Sequence, residues 1–339
     1  SGTSEDLVGV FDGSFDSQYS GNVTIINSYN VSQLKTINGA TTGGITLSDV
    51  TVQLSGTTSD LVDAFAEGFD TNYSGNVIVS DECNVVNGAF IANATNATVT
   101  YVDGITDSFY NMVKSSNETQ EESLFTIVTN KDTDVNITIN SANDYTVIGL
   151  KTINAATTGA ITLSNPQVIL SGTSSDLLDA FAGTFTSNHS GNITITDSAS
   201  STITAANLTT IGNRNDDEVK VQNAITITGN KSECQTALIS PSSKVFLSSA
   251  DGTLSTVNVS DSVTVEEGNA LATVNSANVS FNGGLTDSFY NMVISGGDNE
   301  AQSGFSAIIS DDSDINITIN NSQDYNVKGL KTINDATSG

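Results

Sequence analysis

The sequence has no tryptophan and one histidine, with two prolines, two methionines and two cysteines in 339 residues. Each shortage closes a route. His189 is the one residue available for histidine acid–base chemistry. It lies in "SNHSGNIT", where sister segments carry Tyr19 ("SQYSGNVT") and Tyr73 ("TNYSGNVI"). A place that takes Tyr or His reads as a packing slot. Two cysteines make no disulfide framework. Cys83 and Cys234 sit in similar contexts, "DEC" and "SEC". They are either one bridge of a secreted chain or two small buried residues. Neither has a histidine in its own repeat, so a thiol nucleophile would lack its base. Phosphate-binding glycine loops and zinc spacings are missing. No apolar run reaches the length of a membrane span.

Basic residues are also scarce. Ten Lys and Arg face 38 Asp and Glu, a net charge of −28. Nucleic acid and anionic membranes demand the opposite sign, so both are excluded as partners. An acidic surface suits solubility, cations or a basic partner. Charged residues are only 14 % of the chain. Val, Ile and Thr are abundant and fit half-buried strands. Ordered β structure is therefore expected rather than a disordered polar chain.

The chain is built of internal repeats. "SGTSEDLVGVFDGSFDSQYSGNVTI" from Ser1 returns from Ser55 and from Ser171. "LKTIN" occurs in "QLKTINGATTG", "GLKTINAATTG" and "GLKTINDATSG", with a degenerate "NLTTIGNRND" from Asn207. "GITDSFYNMV" from Gly104 recurs as a near copy from Gly284. "DTDVNITINSANDYTVIGLKTIN" from Asp132 recurs in the same way, and at the same offset, from Asp312. Two copies of "LKTIN" lead through equally long segments ("GITLSDVTVQL", "AITLSNPQVIL") to the next "SGT". The chain opens on "SGT" and stops at Gly339, so head and tail are in phase except for that segment. The expectation is an excerpt of a longer array, or a gap filled by the next copy.

Segments such as "GNVTI" and "VNITIN" alternate apolar and polar residues, as strands with one buried face do. In "TSSDLLDAFAG", Thr173 and Asp176 have capping-box spacing, and Leu177, Phe181 and Phe185 form a helical stripe past Gly183. In "SQLKTINGATTG", Ser32 is the expected cap, and Gly43 the expected stop. Strand and short helix repeating in this way predict a β-rich repeat solenoid: parallel β-solenoid coils with short interspersed helices. The alternative is tandem β-sandwich domains, whose module of about 100 residues the repeat starts do not keep. We divide the chain into repeat coils 1–198, a divergent insertion or extra coils 199–283, and 284–339 as the copy of 104–159.

Candidate sites come mostly in duplicate. Asp132 and Asp134, and Asp311, Asp312 and Asp314, stand at equivalent points before "VNITIN" and "INITIN". Paired carboxylates serve glycosidases, but a pair present in both copies reads better as turn residues. Calcium is the alternative, because clustered carboxylates suit a hard cation. No other cofactor is implied. Fifteen Asn-x-Ser/Thr sequons occur, at Asn22, Asn30, Asn72, Asn93, Asn96, Asn117, Asn136, Asn188, Asn192, Asn207, Asn230, Asn258, Asn278, Asn316 and Asn320. Where they fall in strands, the Asn points away from the apolar face and is a candidate to carry a glycan. "SFYNMV", at Ser108 and Ser288, reads as core Phe and Met with Tyr at the rim.

The units "SGTSSDLLDAFAGTFT" and "LKTINAATTGAITLS" resemble repeats of very large secreted surface proteins of bacteria, cyanobacterial ones above all. The resemblance implies an extracellular or cell-surface place and a structural or adhesive role. The expected function is non-enzymatic: a subunit or segment of an extracellular filament, a head-to-tail homopolymer with N-glycans. A cell-surface adhesin or carbohydrate-binding stalk is the second reading. A polysaccharide-acting β-helix enzyme is the third.

Overall fold

The structure is a computed structural model and describes residues 1–13, 17–142, 144–248, 252–320 and 325–339. The chain is mixed α/β. Strands of two to five residues alternate with 13 α-helices, mostly of seven to ten residues, among the described residues. The expectation of a β-rich chain is corrected here, because more described residues lie in helices than in strands. Most strands bury alternate residues over only three positions, while the helix after them buries a longer stripe.

Contacts divide the chain into two compact units, Ser1–Asn165 with Asp179–Ser187, and Pro166–Leu178 with Asn188–Gly339. In the first, Val23–Ile25 pairs in parallel with Ile45–Leu47. Leu54–Gly56, Val77–Val79 and Val99–Tyr101 form a parallel sheet in that order. Ile137–Ile139 lies between Ile105–Asp107 and Ile161–Leu163. In the second unit, Leu170–Gly172, Ile193–Ile195, Val219–Val221 and Val245–Leu247 form one four-stranded parallel sheet. Thr202–Thr204, Thr226–Gly229, Ser255–Val259 and Ala277–Phe281 form another. Leu285–Asp287 pairs with Ile317–Ile319. Residues 199–283 thus continue the strand–helix alternation. Antiparallel pairing is confined, among the described residues, to two ribbons: Val113–Lys114 with Asn117–Glu121, and Val293–Ile294 with Gly297–Ala301. Sandwich sheets are antiparallel, so the parallel pairing overturns that alternative.

Register stacks like on like. Ile137 lies beside Ile105 and Ile161, all buried, while Thr138 lies beside Thr106 and Thr162 on the other face. Each buried Ile or Val contributes about 1.5–3 kcal/mol. A slip by one residue would expose the whole ladder.

Several helices start where two polar groups meet. The first is an N-cap side chain: Thr57 accepts from Asp60 N at 3.2 Å, Asn30 from Gln33 N at 2.9 Å. The second is a carboxylate from well beyond the helix in sequence. Asp81 accepts from Thr58 N at 2.6 Å, Asp107 from Val85 N at 3.0 Å, and Asp197 from Ser174 N at 2.6 Å. Asp261 and Asp287 do the same for Lys231 N and Val265 N. A negative group at a helix N-terminus contributes about 0.3–1 kcal/mol, more when partly buried. The expected Ser32 cap is corrected: Asn30 caps helix Val31–Ala40 in a capping box with Gln33. The stripe through Phe185 is corrected as well. The helix Ser174–Ala180 stops short, and Phe185 sits in the following segment as a bridge to Ile161.

Candidate functional site

The duplicated aspartates lie at the C-terminal ends of helices Ser123–Lys131 and Ser303–Asp311. Asp132 is buried, and its Oδ2 accepts from Tyr101 N at 2.9 Å. Asp312 is buried too and accepts from Phe281 N at 2.6 Å. Asp311 accepts from Val279 N at 3.3 Å. Asp134 and Asp314 are exposed and lie beside their buried neighbours. Burial first, then the second carboxyl, hold Asp132 and Asp312 above the usual carboxylate range. Burial and a like charge both disfavour the ionised carboxylate. Among the described residues, no three His, Cys, Asp or Glu converge on a point that could hold a metal ion. These side chains tie the loop after a helix to the amides of a strand about 31 residues earlier.

His189 is buried, with Nδ1 at 3.0 Å from Asn215 Oδ1. Burial lowers its pKa, opposed by hydrogen bonds to Asn215, Val168 and Gly191. The bridges Tyr19↔Thr41 and His189↔Asn215 show the slot varying as a pair, Tyr with Thr and His with Asn. Asn215 turns its amide to the Asp217 and Glu218 carbonyls at 2.9 and 3.2 Å. Cys83 and Cys234 are free, buried thiols, and no bridge joins them. Burial pushes each up to about 11, far from the range of a reactive thiolate. Their similar flanking residues did not bring them together: Cys83 bridges to Ile105, while Cys234 faces inward from helix Lys231–Leu238.

The "SFYNMV" reading holds in both copies. Phe109, Met112, Phe289 and Met292 are fully buried, and Tyr110 and Tyr290 are at the rim. Their partner was not visible in the sequence. A Cβ on Gly149 would lie 2.0 Å from the Phe109 ring, and one on Gly329 2.1 Å from Phe289. This explains "GLKTIN" after each "SFYNMV" and "QLKTIN" where no such unit precedes.

Sequence reasoning also missed a threonine lock. The residue after each "LKTIN" helix sends its hydroxyl back to a carbonyl 20 to 22 residues earlier: Thr41 to Gly21, Thr157 to Val135, Thr337 to Ile315, at 3.0, 2.6 and 2.9 Å. The same oxygen accepts the amide two residues on, from Gly43, Gly159 and Gly339. "ATTG" and "ATSG" were the signal. A second omission is a cleft of about 440 Å³ lined by Phe65, Phe69, Tyr73 and Phe90, with Glu67, Asn72 and Asn93 at its edge. The aromatic residues were spread over two repeats, so no single stretch announced it.

None of the 15 sequon asparagines is buried: Asn230 and Asn258 are half-buried and the rest exposed. Asn22 and Asn136 use Oδ1 to accept from Gly44 N and Ala160 N at 3.0 and 2.9 Å. That role spares the amide nitrogen, the atom a glycan would take. No helix of the described residues is long and apolar enough to cross a membrane. The chain matches no family model, no curated protein and no solved structure.

Proposed function

We propose that this chain is a structural, non-enzymatic component of an extracellular filament, built of coils stacked as a solenoid and repeated head to tail. One observation carries the reading. Polar side chains of successive repeats are spent on backbone groups 20 to 31 residues away: Asp81, Asp107 and Asp197 on helix starts, Asp132 and Asp312 on strand amides, Thr41 and Thr157 on carbonyls. Chemistry that appears once per repeat serves stacking, which is how solenoids gain stability. The exposed sequons suit N-glycans on the outer faces, and the resemblance to secreted surface repeats favours the same place. Electron microscopy of native material tests this. Filaments are expected, and dispersed single particles would overturn it. An intact mass equal to the 35.1 kDa polypeptide would remove the glycans.

The second reading, a carbohydrate-binding stalk, is favoured by the aromatic cleft at Phe65, Phe69, Tyr73 and Phe90. Aromatic faces beside a few polar groups are what sugar rings pack on. Binding on a glycan array that Phe90→Ala abolishes would support it, and no binding would discard it.

A further inference from the structure

The aromatic cleft sits in the second "SGT" repeat and owes its outer wall to one residue. The floor is Phe65 and Tyr73, both buried, with ring centroids 5.6 Å apart. The Tyr73 hydroxyl donates to Val52 O at 2.5 Å. Phe69 is half-buried and stands 5.8 Å from Phe65 and 6.3 Å from Tyr73. The outer wall is Phe90, 39 % exposed on helix Val85–Ala94. Thr36 and Thr210 hold the same place on helices Val31–Ala40 and Ala205–Asn213. Threonine serves in both sisters, so stacking of the repeats does not call for an aromatic ring there.

Asn72 lies at the edge of this cleft and opens the sequon Asn72-Tyr73-Ser74. The matching residues of the sister repeats are Gln18 and Asn188, and the side-chain nitrogen of each is tied. Gln18 Nε2 donates to Gly39 O at 2.8 Å, and Asn188 Nδ2 donates to Asp216 Oδ1 at 2.9 Å. Asn72 is exposed and makes no side-chain hydrogen bond among the described residues. The hydroxyl of Ser74, third in the sequon, is half-buried with one long bond, 3.3 Å to Val50 O. A free amide nitrogen thus stands beside a cleft of about 440 Å³, within the range of small-ligand pockets.

We infer that Asn72 is glycosylated and that the first sugar of its glycan fills this cleft, against Phe69 and Phe90. The inference rests on the N-glycan part of the filament reading and names one site. The modification is a glycosyl transfer from a sugar held through phosphate. The bond from Asn72 Nδ2 to the sugar C1 forms as the C1–O bond to phosphate breaks. The phosphate leaves with the electron pair, and the amide gives up one proton. The C–H face of a pyranose then packs on the rings, while Glu67 and Asn93 at the edge meet its hydroxyls. Among the described residues, Glu67 is the charged residue lining the cleft and no cation does. A neutral ring is therefore accepted, and an acidic sugar is repelled. The sugar is a fixed part of the surface, not a ligand drawn from solution as in the stalk reading.

Peptide mass spectrometry of native material tests this, with a glycan expected on Asn72. Asn72→Gln and Phe90→Thr install the residues of a sister repeat, Gln18 and Thr36, and circular dichroism checks that both variants fold. In the glycosylated chain, Phe90→Thr should raise the unfolding constant about fivefold more than it does in the Asn72→Gln background. The C–H protons of the first sugar should resonate upfield under the ring currents and return to ordinary positions in Phe90→Thr. An equal effect of Phe90→Thr in both backgrounds, or sugar protons that never shift, overturns the inference. So does glycan-array binding at this cleft by a native chain whose Asn72 is bare. A bare Asn72 with glycans on other sequons removes this site and leaves the glycan reading standing. Native material without a glycan on any sequon removes both.

Discussion

Replacing Gly149 by alanine isolates the packing of the duplicated unit. The new Cβ would lie 2.0, 2.5 and 3.1 Å from three carbons of the Phe109 ring. Apolar carbons rest about 3.5–4.0 Å apart, so the ring would have to retreat by roughly 1.5 Å. It has little room. Phe109 is fully buried, its amide is held by Ser141 Oγ at 2.7 Å, and the Tyr110 ring lies edge-on at 4.9 Å. Overpacking of this kind costs about 1–3 kcal/mol, while Ala in place of Gly returns about 1 kcal/mol of helix propensity. The net expectation is a loss of up to about 2 kcal/mol. Gly39→Ala is the control. A Cβ there meets nothing within 4 Å, and the sister copy already has Ala155. It should stabilise by about 0.5–1 kcal/mol. Urea unfolding followed by circular dichroism reads both. Phe109→Leu in the Gly149→Ala background should recover part of the loss, so the double mutant departs from additivity. If Gly149→Ala stabilises as Gly39→Ala does, or if the double mutant is additive, the packing account is wrong.

Burial and a neighbouring carboxyl hold Asp132 and Asp312 above the usual carboxylate range. The native state therefore binds these protons more tightly than the unfolded chain. Their contribution is complete below the unfolded value of about 3.9 and is lost as pH rises through the raised folded value. Asp132→Asn and Asp312→Asn stay neutral, so they should raise the urea midpoint at pH 7 and have little effect near pH 4; equal gains at both pH values would refute this. Thr157→Val removes the hydroxyl that serves Val135 O at 2.6 Å and Gly159 N at 2.9 Å. It should cost about 1–3 kcal/mol, the penalty for buried groups left unpaired, and an unchanged midpoint would show the lock to be idle. Cys83 and Cys234, buried with pKa values of about 11, should resist a thiol reagent at pH 8 in the native state. Both should react in urea without reductant; rapid native labelling contradicts the burial, and silence in urea contradicts the free thiols.

The sequence alone determined the repeats, the excess of acid over base, the half-buried strands and the core role of Phe109 and Met112. These are local properties. Alternation, capping spacing and copy number need no knowledge of what lies opposite. It also placed the sequons of strand-like segments, such as Asn22, Asn136, Asn192 and Asn316, on outward positions, because the side-chain period of a strand sets its face. It went wrong at one helix start and at one helix end. Ser32 looked like a cap, yet Asn30 and Gln33 close the helix start. Phe185 continued a helical stripe, yet it pairs with Ile161.

Only the tertiary structure decided the parallel register, which rejects sandwiches, and the balance of helix over strand. It assigned Asp81, Asp107 and Asp197 to the starts of helices that precede them in the chain by a full strand–helix unit. It set Gly149 against the distant Phe109 ring and turned the tyrosine-or-histidine slot into a matched pair with Thr or Asn. The physical reason is common to all of these. A hydrogen bond or a van der Waals contact is made in space, and parallel stacking brings residues together at a separation that no local pattern encodes.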